Sequence, residues 1–230
     1  MEGGSKPEKE HRDIVVPGEM LGTDKRSGYG TYKSGNRIIS SVLGVKKVVK
    51  DYINVVPLSG NYKPKPNDLV VGIVVDVGPT GWFIDIRRPY PALLTMQNAP
   101  WDVSFGETSK YMNVGDSVLL LIKSVDEVNN VHLNMQDRRT RKFTQGQILD
   151  ISPSKVPRVI GKNASMISLL KKYTQCYVFV GQNGRIWIDG EAEKMLLTSQ
   201  AIELIEREAH HYGLTEKVNE FLKNRTGDGK

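Results

Sequence analysis

Gly161-Lys162-Asn163-Ala164 separates two short helical stretches, and such a junction could hold a phosphate group. Where two helix ends meet, free N–H groups point outward, the missing side chain of a glycine lets an anion approach, and Lys162 adds charge. The same residues also suit a plain helix-to-helix turn that uses Gly161 as its C-cap. A second set of groups is cationic: Arg87-Arg88, Lys123, the run Arg138-Arg139-x-Arg141-Lys142, and Lys171-Lys172. On a single strand each phosphate contact contributes a salt slope of about −0.7. The run 138–142 reads alternatively as a solvated connector. Phe83 is the remaining candidate, a ring that either stacks on a nucleobase or fills a core.

Bond-breaking chemistry finds no comparable support. His11, His132, His210 and His211 are scattered, and the adjacent pair would point about 100° apart on a helix, unlike the same-face pair of a zinc helix. Asp85, Asp102, Asp116 and Asp126 fall at strand ends and turns, where aspartate serves local hydrogen bonds, and none makes a close pair suited to two-metal phosphodiester cleavage. The chain has no phosphate-binding Gly-x-x-x-x-Gly-Lys-Ser/Thr and no nucleophile elbow. No catalytic residue, metal site or cofactor is expected.

The loop at 161–164 needs elements to hold it. Around it the sequence predicts a strand carrying Ile148 and Ile151, a helical piece ending at Val159-Ile160, and a second helix over Ser165 to Lys172. Two strands with alternating Tyr177/Phe179 and Arg185/Trp187 follow, joined at Asn183-Gly184, which predicts a type I′ turn. An amphipathic helix over Glu191 to His210 carries Met195, Ile202, Ile205 and Ala209 on one face. This order resembles the KH module, whose Gly-x-x-Gly loop clamps the backbone of about four nucleotides. Here Ala164 replaces the second glycine. A Cβ in the left-handed region costs roughly 1–2 kcal/mol, so the loop is expected to take another conformation or close less tightly. Gly181-x-Asn183-Gly184 resembles the mark of the KH domain in RNA-exosome cap subunits and is read as structural.

Upstream, Asp68 to Met135 predicts five strands, Leu69 to Val77, Trp82 to Ile86, Ala92 to Thr95, Ser117 to Val125 and Val131 to Met135, with short turns and no long helix. That pattern fits a small closed barrel of the OB type. Val71-Gly72-Ile73-Val74, Gly81-Trp82-Phe83-Ile84-Asp85 and Val114-Gly115-Asp116-Ser117-Val118 resemble an S1 domain. That family's RNA face falls here on Thr80, Phe83, Thr95, Asp126 and Asn130, of which Phe83 and Asp126 keep the family's residue types. Tyr62 to Asn67, with two prolines, reads as a linker. Before it, Asp13 to Gly60 predicts short strands, with Leu21 to Gly35 as a long hairpin loop. The echo of Ile14-Val15-Val16-Pro17 in Asn54-Val55-Val56-Pro57 suggests that the first and last strands lie side by side. Residues 1–12 form a charged tail.

Bulk properties agree with these readings. A net charge of +6 and a pI near 9.2 favour an acidic partner, nucleic acid first; the alternative is basicity that serves only solubility. The lone Cys176 excludes a disulfide framework and reads as a small core hydrophobe. No apolar stretch suits secretion or membrane insertion, so a cytoplasmic protein without membrane contact is expected.

The fold class is therefore α+β multidomain, with an N-terminal β domain (1–62), an S1-type barrel (63–143) and a KH-type domain with C-terminal helices (144–230). That order resembles the S1/KH cap subunits of the RNA exosome, of the compact archaeal kind. The resemblance implies a non-catalytic subunit that binds single-stranded RNA. Three copies would sit on a hexameric ring of RNase PH-like subunits, which carry the phosphorolytic 3′-to-5′ exonuclease. The N-terminal domain would clamp the ring, with the barrels around the pore and the KH domains outside. RNA contacts are then expected from Phe83, Arg87, Arg88, Lys123, Asp126, Asn130, Arg138, Arg139 and Gly161 to Ala164, and a structural role from Gly181, Asn183 and Gly184. The alternative is a free-standing S1/KH RNA-binding or translation-associated factor. The RNA-binding tail of a larger phosphorolytic enzyme is disfavoured, because the N-terminal β region is too short for a catalytic core.

Overall fold

The computed structural model describes residues 13–209, 211 and 213–226. The predicted tail, with His11, and the helix end at His210 lie outside the described residues. The chain divides between Gly60 and Asn61 into two compact units.

The first unit contains β1 (Ile14–Val15), β2 (Met20–Gly22), β3 (Arg26–Ser27), β4 (Thr31–Ser34), β5 (Arg37–Ser40), β6 (Gly44–Val49) and β7 (Tyr52–Pro57). They form two sheets, ordered β1-β6-β7-β3 and β2-β5-β4, around Val15, Leu21, Ile38, Ile53 and Val55. Two expectations fail here. Leu21 to Gly35 is not one long loop but contributes three strands, because its polar backbone finds partners: Tyr29 N–H donates to Asn54 Oδ1 at 2.9 Å and Gly28 N–H to the Ile53 carbonyl at 2.9 Å. The repeated Val-Val-Pro segments are not neighbours either. β6 lies between them, pairing Ile14 with Val45 and Val45 with Val56. Gly44 permits this, since a Cβ there would strike the Val56 carbonyl.

The second unit begins with the barrel: β8 (Leu69–Gly78), β9 (Gly81–Asp85), β10 (Ala92–Thr95), β11 (Ser117–Val125) and β12 (Val131–Asn134). β12 closes it by pairing antiparallel with β11 and parallel with β10 at Leu93/His132. Closure removes the edges and buries one face of every strand around Trp82, Ile84, Leu94, Leu120 and Leu133. The proline-bearing linker is anchored rather than loose: Tyr62 is buried in the barrel core and its hydroxyl donates to Asp68 at 2.8 Å. Burial and that carboxylate push the phenol far above its ordinary pKa. A sixth strand, β13 (Arg141–Lys142), pairs with β11, so two residues of the basic run belong to the sheet.

The remainder is β14 (Gln147–Asp150), α1 (Val156–Ile160), α2 (Ser165–Thr174), β15 (Tyr177–Val180), β16 (Arg185–Asp189), α3 (Ala192–Arg207) and α4 (Leu214–Thr226). The antiparallel sheet runs β14-β16-β15, and its inner residues Val178, Ile186 and Ile188 pack with Val159, Leu170, Ile202, Ile205, Val218 and Leu222 of the helices. Cys176 is a buried free thiol beside them.

The outer face of this sheet meets the barrel. Trp187 stacks on Phe143 with centroids 4.1 Å apart, beside buried Val71 and Leu119. The β15–β16 turn supplies the polar half. It is not type I′, because only Gly184 (φ +82°) has positive φ and Asn183 does not. Asn183 serves the joint instead: Nδ2 donates to the carbonyls of Val71 (2.8 Å) and Ile86 (3.2 Å), and Oδ1 accepts from Val71 N–H (3.3 Å). Arg185, 8% exposed, forms an ion pair with Asp85 at 2.6 Å and a longer one with Asp150 at 3.3 Å. Leaving buried donors and acceptors unpaired costs roughly 1–3 kcal/mol each, so this stitch holds barrel and helical domain in one relation.

Candidate nucleic-acid interface

The phosphate-loop candidate lies between α1 and α2. Gly161 (φ +74°, ψ 170°) is required, since a Cβ would lie 2.7 Å from the Met166 nitrogen. Asn163 (φ 51°, ψ 37°) and Ala164 (φ 61°, ψ 21°) are both left-handed. Ala164 therefore does not divert the backbone as expected; it adopts the left-handed region despite a cost of roughly 1–2 kcal/mol. Lys162 and Asn163 are exposed and no side chain caps α2, whose first N–H, that of Ser165, donates to the Lys162 carbonyl.

The barrel face is set by strand register. Asp76, Phe83, Leu93, His132 and Ser124 are successive partners across β8, β9, β10, β12 and β11, and so share one outward row. Phe83 is 37% exposed while Trp82 and Ile84 point inward, which decides for face over core. His132 stands beside Leu93 on the same row. It lies diagonal to Thr95. The signal was present in the sequence as Val131-His132-Leu133, whose alternation forces the middle residue outward once its neighbours are buried. Thr95 Oγ1 accepts from Asn98 Nδ2 (2.8 Å), and Asn98 Oδ1 accepts from Lys123 Nζ (2.9 Å), which brings that lysine to the face. Asp126 and Asn130 close the β11–β12 turn: Asn130 donates to the carboxylate from its backbone (2.7 Å) and side chain (2.8 Å). Desolvation works to raise the Asp126 pKa, but those bonds, with help from His132, outweigh it and hold the pKa below the ordinary value. Thr80 sits exposed in the β8–β9 turn.

The cations separate by what they already touch. Arg87, expected as a phosphate contact, donates instead to the carbonyls of Ile151 and Gly184, so its guanidinium is part of the joint. Arg139 binds Asp137 through two bonds of 2.8 and 3.0 Å, and Arg139 itself holds the Asp137 carboxyl down at about 2. Lys142 pairs with Asp116 at 2.6 Å. Arg88 donates to the Asn129 carbonyl at 3.1 Å and remains near the surface. Arg138 is exposed and has no hydrogen bond or ion pair among the described residues. The loop and the barrel face are thus two separate places where RNA could lie, fixed relative to one another by the joint.

Among the described residues no group of three His, Cys, Asp or Glu could hold a metal, and no helix is long and apolar enough to cross a membrane.

Two family profiles match the chain: one described as an exosome RNA-binding protein RRP4 N-terminal domain over residues 12–59, and a KH domain over residues 146–194. Among curated relatives, the exosome complex component Rrp4 of Methanosarcina mazei is 46% identical over 93% of this chain and 82% of its own length. That of Thermoplasma volcanium is 40% identical over 94% of this chain and 92% of its own. A crystal structure assigned provisionally to exosome complex RNA-binding proteins aligns with a TM-score of 0.67 at 31% identity. It covers 74% of this chain and all of its own.

Proposed function

The chain belongs to the Rrp4 family of exosome complex components, and from that we propose that this RNA-binding, non-catalytic subunit captures single-stranded RNA and feeds its 3′ end to a phosphorolytic exonuclease ring. The observation that carries the reading is the stitched joint. It gives the barrel face and the 161–164 loop a constant spacing, so one RNA strand can engage both and weak contacts add through effective concentration. On the barrel we assign base stacking to Phe83, with His132 on the same row beyond Leu93, and strand positioning to Lys123, Arg88, Asp126 and Asn130. Arg138, and Arg139 when released from Asp137, attract phosphates, and Gly161 to Ala164 receive one at the start of α2.

The first unit supports the choice of protein partner. Ile14, Val45 and Val56 form one outward row, with Val49 and Tyr52 on the same sheet face, and Ile14 is 62% exposed. An apolar face of this kind on so small a unit suits a protein partner better than RNA. We assign it to RNase PH-like ring subunits, three copies of this chain to a hexameric ring, in the cytoplasm. The segments 1–62, 63–143 and 144–230 then act as clamp, pore lining and outer guide.

Mixing the purified chain with purified ring subunits tests this by size-exclusion chromatography with light scattering. A stoichiometric complex is expected, and labelled RNA should remain intact with the chain alone, with or without phosphate, yet be degraded more processively by the capped ring. Separate elution, or turnover by the lone chain, would refute the reading.

A further inference from the structure

Arg141 and Lys171 come from opposite sides of the joint, one from β13 and one from α2, and converge on a single ring. The Arg141 guanidinium carbon lies 4.8 Å and Lys171 Nζ 5.8 Å from the centroid of Phe179. Both side chains are exposed, and neither has a carboxylate partner among the described residues. One cation over a ring is ordinary packing, whereas two exposed cations held beside one ring, with no carboxylate between them, make a local positive potential that an anion would lower. Alternation along β15 puts Tyr177 on the same outer face as Phe179, and Tyr177 is 68% exposed. Its ladder partner Asp189 is held by Gln145 Nε2 at 3.4 Å, so the end of the patch away from the two cations is acidic. The inner neighbours Phe143 and Trp187 are packed at the joint, which makes the seam preformed.

We propose that Arg141, Lys171 and Tyr177 form a contact site for single-stranded RNA that straddles the joint, with a phosphodiester between the two cations and a nucleobase stacked on Tyr177. The site rests on the reading that this chain binds RNA, and neither domain alone contains it. It differs in place from the 161–164 loop and from the barrel row of Phe83 and His132.

The test is fluorescence anisotropy of the full chain with a labelled, unstructured oligoribonucleotide over a salt series. Replacing Arg141→Gln and Lys171→Gln together should make the log–log salt slope shallower by about 0.7, the worth of the one shared phosphate, while Arg141→Lys should leave it unchanged. Tyr177→Ala should weaken binding about tenfold with the slope intact. Trp187 fluorescence checks that each variant keeps its joint. For a variant that does not, 4-thiouridine RNA cross-linked to the unmodified chain replaces the measurement, and Tyr177 should appear among the linked residues. If the unmodified chain binds RNA but the variants keep its affinity and slope, or Tyr177 never cross-links, the seam is overturned and RNA capture stands. If the unmodified chain binds no RNA, the broader reading itself fails.

Discussion

Asp137 grips Arg139 through both carboxylate oxygens, so the second arginine of an apparently basic run carries little free charge. Asp137→Asn should therefore raise RNA affinity and steepen its salt dependence, measured by anisotropy at low and moderate salt; an unchanged slope would mean Arg139 does not reach phosphate. Acidification will not mimic that substitution. The carboxyl is depressed from 3.8 to about 2, so the pair is complete above the unfolded value and is lost only as pH falls through about 2. RNA affinity should show no rise from Arg139 release between neutrality and pH 4. At Ala164 the backbone is already left-handed, so Ala164→Gly removes a methyl group without moving the loop. Relief of strain, offset by the greater freedom of glycine in the unfolded chain, should leave stability within about 1 kcal/mol, and RNA binding should tighten. Unchanged affinity would leave the loop as scaffold. These charges and strains were only partly legible: the sequence names Arg139 and Ala164, but a partner's geometry decides whether a cation is free.

At the scale of elements, the β15–β16 hairpin illustrates how a correct prediction can have a different cause. Asn183-Gly184 marks the turn, as the dipeptide suggested, yet the asparagine is kept for its side chain rather than its backbone angle. It holds three backbone atoms of β8 and of the residue that follows β9. Asn183→Ala should cost roughly 2–4 kcal/mol by leaving buried groups unpaired, seen as a lower midpoint in denaturant unfolding. Asn183→Gly would separate the two explanations: if it preserved the midpoint, backbone angle and not the stitch would matter. The five barrel strands were readable because alternation and turn residues are local signals. β13 was not, since Arg141-Lys142 has no strand signature of its own and is a strand only through its pairing with Val118 and Leu119 of β11.

Across the whole molecule, the proposed function assigns RNA to the second unit and a protein partner to the exposed apolar side chains of the first. Val56→Glu should abolish capture by ring subunits while leaving the fold intact, because the side chain is 47% exposed and points away from the core. Circular dichroism would check the fold and co-elution the capture; continued co-elution would move the docking surface elsewhere. RNA affinity of the isolated chain should be unaffected.

Local chemistry in the sequence determined the five barrel strands, the helices beside the glycine loop and the order of modules, because period, turn residues and capping act over a few neighbours. Which charges remain free, which ring faces water and which arginine locks two domains together depended on residues far apart in the chain. Phe83 and His132 share one row only through Leu93, by an antiparallel and then a parallel pairing that no local pattern encodes, and the Arg87 guanidinium is taken up by the Ile151 and Gly184 carbonyls. Contacts between distant segments exist only after folding, so tertiary structure alone could assign them.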